Sequence, residues 1–190
     1  MPALARIALL ALALIPQCSG MEREGPEYDR AQFYSGWTDE DGDCIDLRHE
    51  LLARTAVRVT ARSEDGCRVL RGVWIDPYTG ARITDASEID IDHVVPLRWA
   101  WDHGASDWTP ERRRAFALDP AFLLPVSSRA NREKGAKGPL DWLPDDARAR
   151  CAYVIRFRRG VASYGLEVDD VEERAHRMIQ TLTCEGAPTA

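Results

Sequence analysis

Asp90-Ile91-Asp92-His93-Val94-Val95-Pro96-Leu97 is the stretch on which the reading of this chain turns. Ile89 to Val95 reads as a strand, and Pro96 ends it, because a proline removes a ladder donor and pushes the residue before it out of helical geometry. A carboxylate beside a histidine suits metal-assisted hydrolysis. Asp92 offers a hard oxygen to a cation such as Mg²⁺, and His93, with an ordinary pKa of about 6.5, can take a proton from an attacking water at neutral pH. Neighbours in a regular strand face opposite ways, so both side chains can serve one site only where the strand stops and turns. Asp90 shares a strand face with Asp92 and reads either as a supporting or alternate ligand or as a solvated carboxylate.

Further along, Ala130-Asn131-Arg132-Glu133-Lys134-Gly135 supplies what that stretch lacks. Asn131 provides a second oxygen ligand without adding negative charge, which leaves the cation's field available to a phosphate. Arg132, Lys134 and Lys137 are placed to hold flanking phosphates. Between Arg129 and Arg159 there are nine basic residues against four acidic ones in a chain of net charge −6, a modest case for a nucleic-acid face. The overall acidity argues against a protein that coats nucleic acid non-specifically.

Around these motifs the pattern predicts a mixed chain. Leu47 to Arg54 looks helical, Ala56 to Thr60 and Cys67 to Ile75 read as strands, and Asp76-Pro77-Tyr78-Thr79-Gly80 reads as a turn. Leu97 to Asp102 predicts a short helix, and Thr109-Pro110 starts another that leads into Arg112 to Leu118. Phe122 to Val126 predicts a strand, followed by a helix opening at Ser127. A helix from Asp145-Asp146 to Arg158-Arg159-Gly160 and a second from Asp169, with Val171, Ala175, Met178, Ile179 and Leu182 at helical spacing, complete the chain.

Residues 1–20 carry one basic residue, no acid and a short apolar run, the pattern of a signal peptide, and Cys18 offers a lipid anchor as the alternative. Residues 21–43 read as a polar lead-in and 44–190 as one domain closed by a helical pair. No second apolar run is long enough to cross a membrane. Cys44, Cys67, Cys151 and Cys184 remain, an even number in an exported chain, which predicts two disulfides. If the last two helices pack antiparallel, Cys151 meets Cys184, and Cys44 pairs with Cys67 by exclusion. The spacing has no C-x-x-C and gives little support to structural zinc.

At these residues the chain resembles the HNH, or ββα-metal (His-Me finger), endonucleases, in particular a small exported bacterial branch related to the C-terminal domain of GmrSD-type restriction enzymes. The resemblance is carried by Asp90 to Leu97, Ala100-Trp101 with Gly104-Ala105, Phe116-Ala117 with Asp119-Pro120, and Asn131-Arg132 with Lys134-Gly135. It extends from Gly36-Trp37 through Trp74 to Gly80 to Trp142-Leu143-Pro144 and Cys151. It implies an α+β fold with a ββα-metal core embedded in helices, here stapled by two disulfides. It also implies His93 as general base, Asp92 and Asn131 as ligands of a single divalent cation, and phosphodiester hydrolysis of nucleic acid, with DNA favoured. Mg²⁺ is the preferred cation, with Mn²⁺ or Zn²⁺ as alternatives. The expected protein is a monomer that is secreted or held in the bacterial cell envelope. One position departs from the family pattern: Phe122 stands where the middle Asn of the H-N-H name resembles a clamp on the histidine loop.

Two rival readings follow from the same residues. A ββα scaffold weakened at Phe122 would bind nucleic acid or a partner protein without cutting. Asp39, Asp41, Asp43 and Glu50 match positions 1, 3, 5 and 12 of a calcium loop, but Cys44 replaces the glycine expected at position 6, and an acidic surface turn is the preferred reading. His49, His103 and His176 read as exposed, and Trp99, Trp101 and Trp142 as core or wall aromatics.

Overall fold

Alternating side chains along two short segments build the centre of the molecule, which a computed structural model describes for residues 27–185. The signal-peptide segment and Cys18 lie outside the described residues. Strand β4 (Ile89–His93) pairs antiparallel with β5 (Leu123–Ser127) in a two-stranded ribbon, with Asp90 opposite Val126, Asp92 opposite Leu124 and His93 opposite Leu123. Period-two alternation sends Ile89 and Ile91 to one face and Asp90 and Asp92 to the other.

The apolar face, joined by Leu123, packs on α1 (Leu47–Thr55) and on a three-stranded antiparallel sheet of β1 (Arg58–Arg62), β2 (Val69–Ile75) and β3 (Arg82–Asp85). Asp46 caps α1 by accepting from His49 N, and Leu51 and Leu52 of that helix are buried. The Trp74 indole donates to Leu52 O, and Arg48 donates to Ala86 O and Ile89 O, fastening α1 to both the sheet and the start of β4. The sequence reading lacks β3, whose four residues are too few to show an alternating pattern.

The other face of the ribbon meets a larger core. Helix α2 (Leu97–Asp102) buries Leu97, Trp99 and Trp101, and α3 (Pro110–Ala117) opens on Thr109, whose side chain accepts from Arg112 N. Helix α4 (Ser128–Lys134) leaves β5 directly, capped by Ser127, and lies against both strands of the ribbon. A strand, a second strand and a helix therefore meet around Asp90 and Asp92.

Helix α5 (Ala147–Tyr164) runs past the predicted stop at Gly160 and ends at Gly165, whose φ of +59° suits a left-handed cap. Gly160 is a close-packing residue instead: a Cβ there would lie 2.9 Å from Val95 and 3.3 Å from the Phe122 ring. Helix α6 (Asp170–Cys184) packs on α5. Its apolar residues correct a second expectation, because Val171, Met178 and Leu182 are exposed while His176 is the residue turned fully inward. Polar bonds set that rotation: Arg158 of α5 hydrogen-bonds both Gln180 and Glu173.

The result is a mixed α+β protein with small sheets and two disulfides, Cys44–Cys67 and Cys151–Cys184. The polar lead-in is less separate than its composition suggests. Phe33 is buried against Trp101 and Phe116, and the buried Arg113 guanidinium donates to Gln32 O as well as to Trp108 O. Among the described residues no helix is long and apolar enough to cross a membrane.

Candidate active site

Strand β4 stops at His93, and two backbone carbonyls fix the stop. Val94 N donates to Phe122 O at 2.9 Å, and His93 Nε2 lies 2.9 Å from Ala117 O. A carbonyl oxygen only accepts, so Nε2 carries the proton and the lone pair sits on Nδ1. Tyr34 and Trp37 cover the ring with centroids 5.7 and 6.1 Å away, the indole nearly parallel to it, and the residue is 6% exposed. Burial pushes the imidazole down to about 3, the Arg30 charge acts in the same direction, and the Ala117 bond opposes it. His93 is therefore a neutral ring of defined tautomer at neutral pH.

Asp92, on the opposite face, is engaged from two sides. Tyr78 OH donates to Oδ2 at 2.6 Å, and Lys134 Nζ donates to Oδ1 at 2.9 Å and to His93 O at 2.9 Å. Burial raises the Asp92 carboxyl, and it lowers the Lys134 ammonium, while each partner opposes the other's shift. The placement of Lys134 is a correction to the expected phosphate-holding role: its side chain is 0% exposed and its ammonium is directed inward, because α4 turns that position onto the ribbon. The sequence reading missed Tyr78 altogether. It saw only a turn, and Asp76 does fold that turn, accepting from Tyr78 N and Thr79 Oγ1.

Asn131 projects from the same helix toward Asp90, its Nδ2 donating to Asp90 Oδ2 at 3.0 Å, while Ser128 Oγ donates to Asp90 Oδ1 at 2.9 Å. The structure thus sets Asp90, Asp92 and Asn131 where β4 meets α4, but the direct bond from Asn131 goes to Asp90, and regular pairing through His93 keeps the His93 ring on the other face of the strand from Asp92. Their donor chemistry, hard oxygen, is that of a small divalent cation, but each oxygen of Asp90 and Asp92 already accepts a hydrogen bond within the site. The Asn131 side-chain oxygen has no hydrogen-bond partner among the described residues, which leaves it free to act as a ligand. Arg132 and Lys137 are exposed at the end of the helix, Lys137 Nζ reaching Glu133 O at 3.0 Å.

The remaining candidates fall elsewhere. His176 is 1% exposed among Trp99 and Phe157, His103 stacks on Trp99 with centroids 3.5 Å apart, and His49 accepts from Val69 N through Nδ1. None is the exposed residue that isolated position in the sequence suggests. Trp99 and Trp101 are buried and Trp142 half-buried. Oxygens of Asp39, Asp41 and Asp43 lie within 4.8 Å of one another on an exposed loop where Cys44 takes a φ of +73°. Phe122 makes no side-chain clamp; its carbonyl holds the histidine loop by the bond to Val94 N.

Residues 47–181 match the family model described as GmrSD restriction endonucleases, C-terminal domain. The chain belongs to this family. Its placement makes the chain a nuclease-related domain and covers the ribbon, α4 and both long helices. A relative in the fungus Arthroderma benhamiae, named as an uncharacterized secreted protein, is 36% identical over 156 residues, 80% of this chain and 74% of its own length. That relative lends no support to a bacterial restriction of this branch. No solved structure matches the chain.

Proposed function

We propose that this GmrSD C-terminal domain is a metal-dependent endonuclease that hydrolyses phosphodiester bonds, with DNA as the favoured substrate and His93 as the general base. The observation that carries the reading is the His93 ring itself. A carbonyl anchors one nitrogen and leaves the lone pair on the other, the atom from which an imidazole accepts a proton from water. A divalent cation, Mg²⁺ by preference, would take the Asn131 side-chain oxygen and, by displacing Tyr78 or Lys134, an Asp92 oxygen, and would there neutralise charge on the phosphate and its leaving oxygen.

The chain's own residues do the rest. Ala117 O keeps the His93 tautomer constant, Lys134 and Tyr78 fix the Asp92 carboxylate, and Asp90 orients the Asn131 amide. Arg132 and Lys137, exposed beyond Asn131, are the cations available to hold phosphates flanking the scissile bond. Two disulfides and a relative named as secreted support an extracellular setting.

Supercoiled plasmid incubated with the oxidised protein tests this reading. Nicking that needs Mg²⁺ or Mn²⁺, stops with EDTA and falls about 100-fold or more in His93→Ala is the expected result. Equal cutting by parent and His93→Ala would remove the base assignment. A folded parent that binds DNA and never cuts would favour the weakened scaffold.

A further inference from the structure

A groove of about 900 Å³ lies between α5 and the corner where Phe122 leads into β5. Its size falls in the range of small-ligand sites, roughly 300 to 1,000 Å³. Phe122, Tyr78 and Leu124 form one wall, Ala149 and Ala152 of α5 leave the opposite side open, and Arg156 and Arg159 stand one helical turn apart along it. Tyr78 is the residue that donates to Asp92, so the groove begins directly behind the site described above.

Two features of this groove are otherwise unexplained, and a third, the Phe122 ring, lines it while packing on Gly160 and Tyr164. Arg156 and Arg159 make no ion pair or hydrogen bond among the described residues, whereas Arg148, Arg150 and Arg158 of the same helix are all engaged. Tyr153 lines the groove, is 3% exposed, and its hydroxyl lacks a hydrogen-bond partner, a costly condition for a buried polar group. Phe122 puts an aromatic ring into the lining at a position where its backbone carbonyl alone serves the histidine loop.

We propose that this groove is a subsite for one unpaired nucleotide, whose base rests on Phe122 and whose phosphate is held by Arg156 and Arg159. The proposal rests on the nuclease reading and narrows its substrate to DNA with unpaired bases. An apolar aromatic wall offers a π-face to any base, and two unengaged guanidiniums match a phosphodiester. A paired base has both faces stacked in the duplex and cannot enter.

Fluorescence anisotropy tests it in a His93→Ala background, with a labelled single-stranded DNA octamer, its duplex and an abasic octamer as probes. The single strand is expected to bind at least tenfold more tightly than the duplex, and Arg156→Ala/Arg159→Ala to weaken the single strand and the abasic strand alike by about tenfold. Phe122→Leu keeps apolar volume beside Gly160 but loses the ring. It is expected to weaken the base-bearing strand about tenfold, in line with the loss of one stacked base, and to leave the abasic strand unchanged. Equal affinity for strand and duplex, or variants that bind like their background, would overturn the proposal. Plasmid nicking by the His93-intact protein separates the two readings. Metal-dependent nicking with unaltered octamer binding removes the groove alone, and groove-dependent binding without nicking removes the hydrolytic reading alone.

Discussion

The two faces of the β4–β5 ribbon solve the burial problem in opposite ways. On one, Ile89, Ile91 and Leu123 close against α1 and β2 in an apolar cluster that holds no charged group. On the other, Asp92 is 4% exposed and is retained only because Lys134 and Tyr78 meet both its oxygens. Burying apolar area stabilises wherever the fit is good, while burying a charge is tolerable only with a partner in place. The apolar face can thus be read as stability, and the charged face as an arrangement retained for position.

The comparison breaks most easily at Lys134. Lys134→Met leaves the Asp92 carboxylate buried with only Tyr78, which should cost about 3 to 5 kcal/mol in urea unfolding, and adding Asp92→Asn should recover much of that loss. A single substitution costing under about 1 kcal/mol would mean that the pair is not held as charges. On the apolar face, Ile91→Ala should cost about 2 to 4 kcal/mol by cavity formation, and no partner change should rescue it. Rescue on one face and none on the other is the difference to look for.

Much of this was legible beforehand because it depends on local pattern. The strand at Ile89, expected to run to Val95 and ending two residues earlier at His93, the helix opening at Ser127 and the N-cap at Thr109 follow from residues within a turn of one another. What stayed hidden depends on rotation and distance. Lys134 read as a surface cation because nothing in its neighbourhood tells which side of α4 faces the ribbon. Tyr78 sits 14 residues from Asp92, inside a turn whose sequence signals only a turn. Ala117 serves through its backbone, which side-chain identity does not reveal. The helical spacing of Val171, Met178 and Leu182 predicts the helix but not that this stripe is exposed, because amphipathic spacing gives a direction without saying which side a neighbour covers.

Desolvation also sets a smaller effect away from the ribbon, at His176. Burial lowers this imidazole, Glu172 and Glu173 act against that, and Arg158 and His103 add to it. The folded ring takes a proton less readily than the unfolded one, whose pKa is about 6.5, so its stabilising contribution is complete above that pH and is lost as pH falls below it. Between pH 7.5 and 5.5 the unfolding free energy from urea titration should therefore fall more for the parent than for His176→Phe. Parallel drops would mean that other groups govern the acid side.

The smallest effect gives the sharpest control on the meaning of the buried pair. Arg71 and Asp85 pair across β2 and β3 at 3.3 Å, with side chains 58% and 38% exposed, against 0% and 5% for Lys134 and Asp92. Coulomb attraction in water is weak and is offset by the cost of ordering two solvated side chains, so Arg71→Ala should change stability by about 0.5 kcal/mol or less. Raising salt to 1 M should erase what remains, since exposed charges are screened within about 3 Å at that ionic strength. The Lys134→Met loss should hardly move under the same salt, because no counterion reaches the buried carboxylate. A cost at Arg71 comparable to that at Lys134, or an equal salt response at the two sites, would show that pairing alone sets the energy and that burial on the charged face of the ribbon plays no separate part.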